Sequence, residues 1–68
     1  MKEEEYKRIL NDQITALIED TKLLTQAQAI NTSLTGESYK QALIETFTNN
    51  IDKYCKNILN LFERKYYY

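Results

Sequence analysis

Proline and histidine are absent from this chain of 68 residues, and it holds one glycine and one cysteine. Each scarcity removes a class of structure. A single cysteine, Cys55, forbids an intrachain disulfide, so no covalent staple supports this short chain. Without histidine, a lone cysteine among scattered carboxylates does not make a zinc site, and nucleophilic catalysis lacks its usual base. With one glycine there is no phosphate-cradling loop. Long apolar runs are also missing, so no span of a bilayer is expected. The charged opening "MKEEEYKR" has no apolar core of the kind a secretory signal needs. The net charge of −1 gives no strong pull toward nucleic acid or acidic membranes. No cofactor, metal or small-molecule substrate is implied, and the chain does not read as an enzyme.

What is present reads as helix. Leu, Ile, Lys, Gln and Glu together make up about half of the chain, and 28% of residues are charged. In the first half, Tyr6, Leu10, Ile14, Leu17, Leu24, Ala27 and Leu34 recur at steps of three, four or their sums, which is helical periodicity. Ile9, Ile18 and Ile30 widen that stripe, and Thr21 interrupts it. One helix is expected from residue 3 to about 33, opened by Glu3, Glu4 and Glu5 at the positive end of its dipole. In the second half, Ile44, Phe47, Ile51, Tyr54, Ile58 and Leu61 step alternately by three and four, a heptad seam without a break. Leu43, Cys55, Leu59 and Phe62 flank it. A second helix is expected from 36 to about 65, and Cys55 reads as a small buried apolar residue.

Between them lies "NTSLTGESYKQAL" with the only glycine, Gly36. Two assignments of the turn at 34–36 are open. Thr35 is the cap of the second helix, Gly36 its first residue, and Leu34 with Tyr39 a hydrophobic staple. Alternatively Gly36 is the left-handed residue ending the first helix, with Ser38 as the cap. Either produces a reversal, so residues 1–68 are expected to form one all-α domain, an antiparallel two-helix hairpin. The hairpin seam is assigned to Leu10, Ile14, Leu17, Leu24, Ile44, Phe47, Ile51, Tyr54, Ile58 and Leu61. Ile9, Ile18, Ile30, Leu43, Leu59 and Phe62 would then stay partly wet. Burial of each is worth about 1.5–3 kcal/mol, so a second hairpin is expected to cover them and complete a four-helix bundle. Its source is open: the dimer is hetero or homo.

The turn and second helix, "NTSLTGESYKQAL" and the spaced Phe, Ile, Tyr, Ile and Leu after it, resemble the WXG/LXG group. These are small helical hairpins, and hairpin-like domains of larger toxins, associated with bacterial type VII secretion. Leu34-Thr35-Gly36 matches the Leu-X-Gly form, and Ser38, Tyr39, Ala42 and Phe47 follow in the group's pattern. The resemblance implies a non-enzymatic partner or targeting chaperone that pairs with a cognate LXG-like secretion substrate. It would be cytoplasmic, or exported with its partner. The group's export motif, Tyr or Phe with an acidic residue four positions later, is missing: Ile58 follows Tyr54 and Tyr66 follows Phe62 at that spacing.

An alternative comes from Lys53, Lys56, Asn60 and Arg64, which step by three, four and four along one helix face. A homodimeric hairpin bundle with such a face could grip phosphates as a plasmid or phage regulator. Only three of the four are cationic and Glu63 lies alongside, so a solvated outer face is the favoured reading. The terminal "KYYY" has no assigned task.

Overall fold

A computed structural model describes residues 2–67, with side chains left aside at 34, 35 and 65–67. Three helices follow one another: α1, Glu3–Gln28; α2, Thr32–Thr35; and α3, Glu37–Tyr67. The described residues contain no strand, and α1 and α3 pack against each other along their length. Their direction is antiparallel. Gln13 of α1 meets Asn57 of α3, while Ala27 and Ile30 share a groove with Leu43 and Phe47. The result is a rod with extents of 52 × 15 × 10 Å.

The first helix is shorter than its periodicity suggests. It stops at Gln28 rather than near 33 because the chain offers a better local arrangement. The N–H groups of Ala29 and Ile30 donate to the carbonyls of Gln26 and Ala27, at 3.1 and 3.2 Å, tightening the last turn. Asn31 is extended (φ −80°, ψ 110°), and its side-chain oxygen accepts from the Ser33 N–H at 3.0 Å and the Ser33 hydroxyl at 2.7 Å. A short amide side chain competes in this way with the helical ladder, and so it starts a new helix instead of continuing the old one. Asn31 was legible as a cap residue; the apolar stripe running past it to Leu34 hid the break.

The reversal matches neither assignment of the turn in full. Gly36 is not the first residue of the second helix. It has φ 87° and ψ 152°, and it is the only residue with positive φ among those described. Its N–H closes α2 by donating to the Thr32 carbonyl at 2.9 Å. Its own carbonyl accepts the first bond of α3, from the Lys40 N–H at 3.5 Å. Gly36 therefore stands where an N-cap stands, between two helices. Thr35 belongs to α2, and Ser38 lies inside α3. Tyr39 is 55% exposed; the other half of the proposed staple, the Leu34 side chain, lies outside the described residues.

The core is thin. Tyr6, Ala27 and Leu61 are buried, at both ends of the helix pair, and no described side chain is completely enclosed. Leu10, Leu17, Leu24, Ile44, Phe47, Ile51, Tyr54 and Ile58 are half-buried along the seam. Ile14 departs from the expected seam and is exposed. A step of four residues advances about 40° beyond a full turn, so the run Tyr6, Leu10, Ile14 rotates off the contact line. Gln13 takes the place at the interface and accepts a hydrogen bond from the Asn57 amide at 3.1 Å. Thr21, which breaks the apolar stripe, turns its hydroxyl back to the Leu17 carbonyl at 2.7 Å, and Thr25 does the same to Thr21 at 3.0 Å. Both satisfy themselves within α1, so neither demands a partner across the hairpin.

Candidate interaction surface

The two broad sides of the hairpin differ. One side is partly filled. Near the open end, Ile9, Gln13, Asn57, Asn60, Leu61 and Arg64 line a groove of about 180 Å³. Near the turn, Leu23, Gln26, Ala27, Ile30, Leu43 and Phe47 line a second groove of about 330 Å³. Three residues expected to reach a partner, Ile9, Ile30 and Leu43, are half-buried here, inside the hairpin's own grooves.

Away from these grooves, four apolar residues are open. Ile18, Leu59 and Phe62 are 52, 58 and 49% exposed, joined by Ile14 at 38%. At about 100° per residue, Ile14 and Ile18 leave α1 some 140° to 180° around from Ile9. Leu59 and Phe62 leave α3 roughly 140° to 160° around from Asn57. Ile9 and Asn57 share the first groove, so none of the four faces into it: Ile14 and Phe62 flank the seam on the other side, while Ile18 and Leu59 point outward from the edges of α1 and α3. The Gln13–Asn57 contact sets the register. It places Leu59 and Phe62 toward the open end and Ile14 and Ile18 toward mid-length. Ile18 also lines a shallow hollow of about 270 Å³ with Thr15, Glu19 and Lys22. Cys55 lies one turn before Leu59 on the same face of α3 and is exposed, not buried as its neighbourhood on the seam suggested. One step from Tyr54 rotates it about 100° off the contact line.

Half-exposing three such side chains forgoes roughly 1 kcal/mol each, a sizeable part of the ~5–15 kcal/mol that holds a domain together. Single exposed apolar residues are ordinary; here these four, with Leu23 at 36% beside the second groove, are the candidate interaction residues.

The cationic face is less coherent. Lys53, Lys56, Asn60 and Arg64 are all exposed. Lys56 is held by Asp52 one turn earlier, at 2.9 Å. Asn60 and Arg64 also border the groove shared with Ile9 and Gln13. Among the described residues no group of three or more potential metal ligands gathers, and no helix is long and apolar enough to cross a membrane. No protein-family model, curated protein or solved structure matches the chain.

Proposed function

We propose that this chain is a non-enzymatic interaction protein that works by completing a four-helix bundle with a second helical hairpin. The observation that carries this reading is the exposure of Ile14, Ile18, Leu59 and Phe62 on a hairpin with only three buried residues among those described. Apolar residues at helical spacing on two antiparallel helices are matched by another pair of helices better than by a flat or concave ligand. The Leu34-Thr35-Gly36 reversal adds the narrower reading, in which the chain serves as the targeting partner of an LXG-like type VII secretion substrate.

The test is co-expression with an LXG-like helical domain taken from a neighbouring reading frame that encodes one. The expected result is an equimolar complex that survives gel filtration and is lost in a Leu59→Glu, Phe62→Glu double variant. Suppose instead the two chains stay apart, and the double variant changes neither solubility nor binding of an apolar dye. These residues are then not an interface, and the reading fails.

A further inference from the structure

The groove at the open end combines an apolar floor with a polar rim. The floor is Leu61, 5% exposed, and half-buried Ile9. The rim is the amides of Gln13, Asn57 and Asn60 and the guanidinium of Arg64, which line the same space of about 180 Å³. We infer that this groove is a binding site for a carboxylate carried on a short apolar stem, with Arg64 as the group that recognises it. The site does not depend on the hairpin completing a four-helix bundle.

Helical spacing brings these groups together. Asn57, Asn60 and Arg64 step by three and four, and Asn57, Leu61 and Arg64 by four and three, so all share one face of α3. Ile9 and Gln13 stand one turn apart on α1 and form the other wall. The Asn57 amide donates to the Gln13 side-chain oxygen at 3.1 Å. That bond uses one of the two N–H groups of Asn57 and neither of those of Gln13, so donors remain for a ligand.

The charge on the rim is unanswered within the hairpin. Among the described residues, ion pairs join Lys7 to Glu3 and Lys56 to Asp52, and Arg64 has none. Glu63 leaves α3 about 100° around from Arg64, and Glu5, one turn before Ile9 on α1, makes no ion pair either. A guanidinium fork matches a carboxylate with two parallel N–H bonds, and amide donors beside it satisfy the remaining lone pairs. One cation balances one carboxylate. A phosphate carries nearly twice that charge, and neither Lys53 nor Lys56 lines the groove to meet it. Benzene fills an apolar cavity of about 150 Å³, so this groove suits a stem of a few carbons. An acidic side chain on a helical partner and a free short-chain acid both present that chemistry.

The experiment titrates the full chain with sodium hexanoate at low ionic strength, where a partly exposed charge is least screened. The side-chain N–H signals of Gln13, Asn57, Asn60 and Arg64 are followed by NMR. Saturable shifts are expected, and none with hexanol, which keeps the stem and lacks the charge. Arg64→Gln should weaken binding about tenfold or more. Arg64→Lys should weaken it less, because it keeps the charge and loses only the fork. Position 64 is exposed, so circular dichroism should be unchanged in both. Lys53→Gln, a cation off the groove, should bind as wild type. Propionate separates the two sources, since it reproduces the stem of a glutamate side chain. Equal binding of propionate and hexanoate assigns an acidic side chain; a gain of about twofold to fourfold per added methylene assigns a free acid.

No saturable shift with either acid would overturn the inference. So would hexanoate binding that Arg64→Gln leaves unchanged, because the recognising group would then lie elsewhere. Inorganic phosphate that displaces hexanoate at a lower concentration than hexanoate itself needs would mark a phosphate site and overturn it too. Glu5→Gln tests whether the chain fills the groove itself. The Arg64 signal of the free chain should stay in place; a shift opposite in sign to the one hexanoate causes would mean that Glu5 already pairs with Arg64, and the inference falls. None of these outcomes bears on the proposed bundle, which the Leu59→Glu, Phe62→Glu variant tests separately.

Discussion

Replacing Gly36 with alanine should destabilise the hairpin, and the size of the loss follows from the backbone. At φ 87° and ψ 152° the residue occupies a region nearly restricted to glycine, and an L side chain there costs about 1–3 kcal/mol. The cost is conformational and not a clash: a β-carbon built at position 36 meets no heavy atom within 4 Å. Alanine also narrows the unfolded ensemble, which returns about 0.4–1 kcal/mol. The net loss is therefore roughly 1.3 kcal/mol at the midpoints of the two ranges. For a domain of this length that lowers Tm by about 5–10 °C, read by circular dichroism at matched chain concentration, since any self-association would otherwise shift the midpoint. The sign discriminates between arrangements. Were Gly36 the first residue of an unbroken helix, alanine would raise stability, by up to about 1 kcal/mol. The chain is short enough for chemical synthesis, which provides a second arm. D-alanine at position 36 prefers positive φ, so it should restore wild-type stability or exceed it. Gly36→Ala as stable as wild type, or a D-alanine chain no better than the L form, would refute the placement of this glycine.

Two further outcomes concern the core. Leu61 is 5% exposed, and Leu61→Ala should cost about 2–5 kcal/mol, enough to leave the isolated chain largely unfolded by circular dichroism; a loss under about 1 kcal/mol would mean that the open end is not packed as described. Asn57→Leu should destabilise because Gln13 loses its donor, by about 0.5–1.5 kcal/mol. Adding Gln13→Leu should recover most of that, so a double-mutant cycle by urea denaturation should be plainly non-additive; strict additivity would show that the two amides do not meet.

Periodicity was enough to read two long amphipathic helices and the residues from Ile44 to Leu61 as one seam, because a step of three or four positions is a property of the chain itself. The lone glycine likewise announced a reversal. The local chemistry of Asn31 was also present in the letters, yet an apolar stripe that continues past it outweighed it. Side-chain caps and apolar spacing are independent signals, and here they pointed to different helix ends. The polar contact between Gln13 and Asn57 had no signature in either helix alone, since its meaning depends on their register.

Composition and spacing alone thus determined an all-helical chain with a reversal near Gly36 and with more apolar surface than a single helix contact can cover. Tertiary structure decided which apolar residues that surplus comprises. Ile9, Ile30 and Leu43 fall into the hairpin's own grooves, while Ile14 rotates outward to join Ile18, Leu59 and Phe62. The reason is geometric. A helical repeat of 3.6 residues drifts against steps of three and four, so the side of the hairpin on which a residue emerges depends on where the two helices touch, and that line exists only once they have packed.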